Sequence, residues 1–168
     1  LNLESWEYWY PKKEGTVEPE LLRLESILKE KNLSRVLDFG CRAGRHTLHV
    51  ARNGFKVHGF DASASAVERA TQLLHDEGLR ADLKVHDMLE PLPYPGMFFD
   101  AGLATRVIHH TLVGNIKRIV SGIDRVLKNG GYVLLQVPEY EDHERVLREA
   151  QSTHRVPRAR NACVLGGR

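Results

Sequence analysis

Residues 36–61 read VLDFGCRAGRHTLHVARNGFKVHGFD, and the order of features in this stretch decides the fold. An apolar run, Arg35 to Phe39, reads as a buried strand. A turn of small residues follows, Gly40-Cys41-Arg42-Ala43-Gly44, and then a helix to about Arg52 with Leu48 and Ala51 on its inner face. Asn53-Gly54 closes that helix, and a second strand, Phe55 to Phe60, delivers Asp61 at its end. Strand, glycine turn, helix and strand in this order form a nucleotide pocket: the turn lets backbone approach a ligand, and an acid at the second strand end is placed to accept from ribose hydroxyls.

The turn also selects the kind of nucleotide. A dinucleotide fingerprint, G-x-G-x-x-G, offers free N–H groups to a pyrophosphate. Here the glycines are Gly40 and Gly44 with Arg42 between them, and Asp38 stands just before the first. A carboxylate there repels a phosphate and attracts a cation held at short range. S-adenosylmethionine suits such a pocket, with two ribose hydroxyls, an ammonium, a sulfonium and no phosphate.

The rest of the chain extends the same pattern. Glu18-Pro19 opens a helix with Leu21, Leu24, Ile27 and Leu28 on one face, ended by Asn32. Ser65-Ala66-Val67-Glu68 has capping-box spacing and starts a helix with Val67, Ala70 and Leu74 inward, stopping at Gly78. Asp82 to His86 alternates as a third strand, and the three prolines of residues 90–96 (EPLPYPG) make a loop. Met97 to Ala104 is a fourth strand. From Gly114 to Lys128, the stripe Ile116, Ile119, Val120, Ile123, Val126 and Leu127 marks a helix, capped by Asn129-Gly130-Gly131. Tyr132 to Val137 is a fifth strand, and Glu141 to Ala150 a last helix.

Strands alternating with helices predict an α/β, doubly wound, mainly parallel sheet of about five strands, whose ligand lies at the C-terminal strand ends. Asp38, Asp61, Asp87 and the run from Ala104 to His110 all fall there. Asp38 alone would read as a turn-capping carboxylate; three acids on one edge favour a site. The chain divides into an N-terminal aromatic segment and helix (1–33), an α/β domain (34–150) and a basic tail (151–168) read as poorly ordered.

At 168 residues the chain fits one domain, and its net charge of +2 is too small to argue for nucleic acid or a membrane surface. With a mean hydropathy of -0.37 there is no long apolar run to span a bilayer, and Leu1 to Glu20 lacks the apolar core of a signal peptide. Two cysteines in unlike contexts, Cys41 and Cys163, do not form a disulfide framework, which points to the cytoplasm. Cys41 has no partnering Cys-His motif and reads as a small residue packed under the turn.

With these motifs placed, the chain resembles the class I S-adenosylmethionine-dependent methyltransferases, closest to the small type 11 and tellurite-resistance kinds, over about Ser34 to Val137. Val36-Leu37-Asp38-Phe39-Gly40-Cys41 resembles the family's V-L-D-x-G-C-G-x-G, and Gly59-Phe60-Asp61-Ala62-Ser63 its second motif. The succession Asp87, Leu92-Pro93, Phe99-Asp100 is similar to the third and fourth, and Leu127-Lys128-Asn129-Gly130-Gly131 to the L-K-P-G-G before strand five. The resemblance implies that Asp38 and the backbone of Gly40, Cys41 and Gly44 hold the methionine part. It gives Asp61 the ribose and Ala62 the adenine, Asp87 the adenine amino group with Met88 packed on the base, and Ala104 to Arg106 the methyl-donor end. The partner implied is a small-molecule methyl acceptor.

Two departures stand out. Arg42 occupies the motif's middle glycine, a strained choice if that position has positive φ. Residues 151–168 are too few for the family's sixth and seventh strands, which implies C-terminal truncation and an open sheet edge that a second copy could pair with.

Other residues admit two readings each. His109 or His110, just beyond the fourth strand, is a general base or a polar loop residue, since methyl transfer can proceed by alignment alone. His46 and His49 share helical spacing, but no H-E-x-x-H or Cys-His cluster supports a metal, and none is expected. Trp6, Tyr8, Trp9 and Tyr10 form a lid or anchor the N-terminus. Arg155, Arg158, Arg160 and Arg168 read as a solvated end rather than an RNA contact. A non-catalytic nucleoside-binding module and an NAD-dependent oxidoreductase remain as rival functions.

Overall fold

The structure, a computed structural model, describes residues 17–108, 111–137 and 162–166. The expected last helix, the aromatic cluster at Trp6 to Tyr10, His109, His110 and the four tail arginines lie outside the described residues.

Among the described residues, six strands form one sheet in the order β3-β2-β1-β4-β5-β6. Strands β1 (Arg35–Phe39), β2 (Lys56–Asp61), β3 (Asp82–Val85), β4 (Phe99–Thr105) and β5 (Leu127–Gln136) run parallel, as alternation with helices requires. β6 (Ala162–Gly166) corrects the expectation of a strandless tail: it lies antiparallel on β5, pairing Ala162 with Gln136 and Gly166 with Tyr132. The edge of β5, expected to be open for a second copy, is therefore taken by the chain itself. A short antiparallel strand needs no crossover helix, which is how so few residues supply one.

Helices α1 (Pro19–Glu30), α2 (Arg45–Arg52) and α3 (Ala64–Asp76) accompany one side of the sheet, and α4 (Val113–Val126) the other. α1 begins with proline at its first turn and buries Leu21, Leu24 and Leu28 against Val36, Leu103 and Leu134. α4 buries Ile116, Ile119, Val120, Ile123 and Val126 with Leu37, Phe39, Phe99 and Leu135. Each of those five side chains removes enough apolar surface to contribute about 2 kcal/mol.

Two ends differ from expectation. α3 is capped by Ser63, whose hydroxyl accepts from the N–H of Ala66, rather than by Ser65. α4 ends without a glycine cap, because Leu127 turns extended and pairs with Phe99. The ladder resumes at Tyr132 opposite Ala101, so Lys128 to Gly131 bulge out across from Asp100. The Asp100 carboxylate uses that gap. It accepts from the backbone N–H of Ser34 (3.0 Å) and Arg35 (2.8 Å) and from Lys128 Nζ (2.7 Å). Although burial opposes it, these partners hold the carboxyl below its ordinary pKa.

The proline loop is a loop, as expected, and Arg125 of α4 fastens it by donating to the carbonyls of Tyr94 (2.9 Å) and Leu92 (2.8 Å). No helix among the described residues is long and apolar enough to cross a membrane.

Candidate functional site

The turn after β1 is built on left-handed backbone. Gly40 has φ +64°, and a Cβ there would stand 2.4 Å from Val107 Cγ2. Gly44, at φ +87°, precedes α2, and a Cβ there would meet Ala70 at 2.8 Å, so glycine is what lets α2 close on α3. Arg42 lies between them at φ +51°. A non-glycine residue in this region costs about 1–2 kcal/mol, the strain expected from its place in the motif.

Three of the turn's amides are spent within the protein. Cys41 N–H donates to the Phe60 carbonyl (2.9 Å), Gly44 N–H to the Cys41 carbonyl (2.9 Å) and Arg42 N–H to Asp61 Oδ2 (3.0 Å). A pyrophosphate cradle would need those donors free. Asp61 also accepts from Ser63 N–H through Oδ1 (2.9 Å), so it fastens the turn to the start of α3 while each oxygen keeps a second lone pair. Cys41 is buried, and burial, reinforced by the charges of Asp38 and Asp61, pushes its thiol pKa up. It is a packing residue with no thiolate to offer.

Asp38 is the centre of the site. It is 1 % exposed, and its Oδ2 accepts a 2.7 Å hydrogen bond from the Thr47 hydroxyl on α2. Oδ1 is buried with no partner among the described residues. Burial pushes the carboxyl above its ordinary pKa and the Asp61 charge adds to this, while His46 and the Thr47 hydroxyl pull it back. A buried oxygen left without a donor is costly, and a cation with N–H groups is what would satisfy it. The residues present thus fit the ammonium of an amino-acid moiety.

The same side of the sheet carries a second polar group. Asp38 pairs in register with Leu103, and Thr105, two residues on, points the same way, toward α2. Thr105 Oγ1 lies 2.9 Å from His46 Nδ1, and His46 Nε2 lies 2.7 Å from Glu18 Oε2, at the entrance to α1. Arg45 Nη2 donates to the other oxygen of Glu18 (2.8 Å). Burial acts to raise the Glu18 pKa, but the hydrogen bond from His46, with the charge of Arg45, outweighs it and holds the group at about 2. Next to Thr105 in the β4–β5 register is Gln136, whose Oε1 is also buried without a partner among the described residues.

His46 and His49, which invited a metal reading, are each committed to a carboxylate: His49 Nε2 lies 3.2 Å from Glu25 across α1 and α2. Of the other expected contacts, Ala62 is half-buried beside Asp61. Asp87 is exposed with Oδ1 accepting from Leu89 N–H (2.9 Å), and Met88 is half-buried against the α4-side core. The Ala104 side chain is wholly buried in that core, leaving only its backbone for the ligand edge. Thr105 falls within the run Ala104 to Arg106 expected at the methyl-donor end, whereas Thr47, His46 and Glu18 were not among the expected cofactor contacts. Nothing local marks Glu18.

The chain matches the family model described as a methyltransferase domain over residues 36–131. It is 33% identical over 105 residues to an uncharacterised methyltransferase of Synechocystis, covering 60% of this chain and 45% of that protein. It is 30% identical over 112 residues to the sarcosine/dimethylglycine N-methyltransferase of Aphanothece halophytica, covering 66% of this chain and 40% of that protein. The chain thus spans less than half the length of these relatives. Its fold is shared with N-methyltransferase NodS from Bradyrhizobium japonicum, at a TM-score of 0.68 and 18% identity, over 88% of this chain and 90% of that one. A sheet with its glycine turn at β1, acids at the ends of β1 and β2, and a family match running from Val36 to Gly131 lead to one conclusion: the chain belongs to the methyltransferase domain family.

Proposed function

We propose that this chain is an S-adenosylmethionine-dependent methyltransferase that passes a methyl group to a small-molecule acceptor by direct displacement. The observation that carries the proposal is Asp38: a buried carboxylate with an oxygen unpartnered among the described residues, beside a turn in which the amides of Cys41, Arg42 and Gly44 are already spent, suits a cationic nucleoside and not a phosphate. Asp38 with the backbone of Gly40, Cys41 and Gly44 would hold the methionine part. Asp61 and Ala62 would take the ribose and adenine, and Asp87 and Met88 the adenine edge. The cofactor supplies, when bound, an electrophilic methyl on a cationic sulfur. The chain's own contribution is alignment, which by itself lowers the barrier by several kcal/mol.

A relative named for sarcosine and dimethylglycine makes small amines the first acceptors to try. The buried thiol of Cys41 fits a reducing compartment, in keeping with a cytoplasmic protein. Calorimetric titration with S-adenosylmethionine, S-adenosylhomocysteine and NAD tests the proposal: the first two should bind and NAD should not. Binding of NAD alone would return the chain to the oxidoreductase class. A second reading, a nucleoside-binding module without catalysis, is favoured by the strained Arg42 turn; binding with no methyl transfer from labelled cofactor to any acceptor would establish it instead.

A further inference from the structure

Glu18, His46 and Thr105 form a chain of hydrogen bonds that the cofactor contacts above do not use. Its members come from three separate elements: the residue before α1, the first turn of α2 and the last residue of β4. The contacts are short, 2.7 Å from Glu18 to His46 Nε2 and 2.9 Å from His46 Nδ1 to Thr105 Oγ1, and His46 and Thr105 are 8 % and 9 % exposed. In the tautomer whose Nε2–H donates to Glu18, Nδ1 accepts from the Thr105 hydroxyl. Thr105 then presents oxygen lone pairs at the ligand edge, on the same side of the sheet as Asp38. The next residue, Arg106, sits at φ +55°, and strain of this kind gathers where a loop is shaped for a ligand. Burying an imidazole against a half-buried carboxylate to hold one hydroxyl is a costly way to fill space.

Resting on the methyltransferase reading above, we propose that Thr105, backed by His46 and Glu18, takes the proton of the methyl acceptor. The acceptor is accordingly an amine or hydroxyl, which must lose a proton, rather than a carboxylate or thiolate, which carries none. The acceptor's lone pair bonds the methyl carbon as the carbon–sulfur pair stays on sulfur. The acceptor's proton passes to Thr105 Oγ while the threonine's own proton moves to His46 Nδ1. His46 becomes an imidazolium facing Glu18 and later returns its proton to water. Thr105 is the catalytic residue; His46 and Glu18 act through it. Among the described residues, the charged groups around His46 are Glu18 just before α1, Arg45 beside it on α2 with Nη2 3.0 Å from Nε2, and Asp38 from β1; Thr105 on β4 is neutral.

The test is methyl transfer from labelled S-adenosylmethionine to glycine, sarcosine, catechol and benzoate across pH 6–9, with S-adenosylhomocysteine titrated in parallel as the check on folding and cofactor binding. Transfer should go to an amine or hydroxyl, with kcat rising to a plateau as pH increases. Thr105→Val should lower kcat by about 100-fold with little change in KM for the cofactor, Thr105→Ser should restore most of it, and His46→Gln should flatten the pH rise. A purely structural role would change stability and KM and leave the shape of the profile alone. Transfer only to benzoate, or variants that keep the wild-type kcat and profile, would overturn the proposal. If S-adenosylhomocysteine binds and no amine or hydroxyl is methylated, the relay alone fails; if it does not bind, the cofactor reading fails first.

Discussion

Gly40→Ala separates two physical terms at the turn and measures each. The first is backbone: at φ +64° an alanine costs about 1–2 kcal/mol. The second is contact: the new Cβ would lie 2.4 Å from Val107 Cγ2, where ordinary contact begins at 3.4 Å, and overpacking of that size costs about 1–3 kcal/mol. Together they come to about 2–5 kcal/mol, a large share of a domain's stability. Val107→Ala alone removes buried apolar surface for about 1–2 kcal/mol. In the double variant the overlap with Val107 Cγ2 is gone, so its cost should fall short of the sum by the contact term, about 1–3 kcal/mol, leaving the backbone term in place. Urea unfolding of the four proteins gives these values, provided the denaturant slope stays constant. A Gly40→Ala cost below about 1 kcal/mol, or strict additivity with Val107→Ala, would refute the close approach of the turn to the end of β4.

Asp38→Asn should weaken S-adenosylhomocysteine binding about 10- to 100-fold, the loss of one charge-assisted hydrogen bond, read by calorimetry. Because the folded pKa of Asp38 is raised, its charged form destabilises the fold. Wild-type stability should therefore fall relative to Asp38→Asn as pH rises from the ordinary carboxylate range through the elevated value. Glu18 has the opposite sign. Held at about 2 against an ordinary 4.5, it stabilises above 4.5 and loses that contribution as pH falls toward 2, so Glu18→Gln should cost about 1 kcal/mol at pH 7 and show a shallower acid transition by circular dichroism. Asp100→Ala strips the acceptor from the backbone N–H groups of Ser34 and Arg35 and from Lys128, and thermal unfolding should report a loss of about 2 kcal/mol.

What the sequence revealed was whatever is written locally. β1 with its glycine turn, the acid ending β2 and the α4 stripe each follow from periodicity or from a residue type only one backbone accepts. The strain at Arg42 was legible for the same reason, since the position asks for positive φ whatever surrounds it. Misjudged features were those decided by distant partners. Asn129-Gly130-Gly131 looks like a helix cap, but the claim of Phe99 on Leu127 and of Asp100 on Lys128 turns it into a bulge. The tail lacks an alternating pattern, yet its backbone pairs with β5, and backbone pairing leaves little trace in side-chain order. Glu18 and Thr105 lie far apart in the chain and meet only through His46, whose local spacing with His49 pointed elsewhere.

The carboxylate of Asp100 has no part in the site, yet it sets which side chains the site contains. It locks the start of β4 to the first amides of β1 at the edge of the sheet opposite the ligand, about 16 Å of strand before Thr105. Side chains alternate along β4, so sliding this strand by a single residue against its neighbour would withdraw the Thr105 hydroxyl and offer Ala104 or Arg106 in its place. No partial slip is available that shifts the hydroxyl by a fraction. Asp100 therefore acts as an alignment pin: a substitution there that folds in the wrong register would give a protein of ordinary appearance with a different functional group at its mouth.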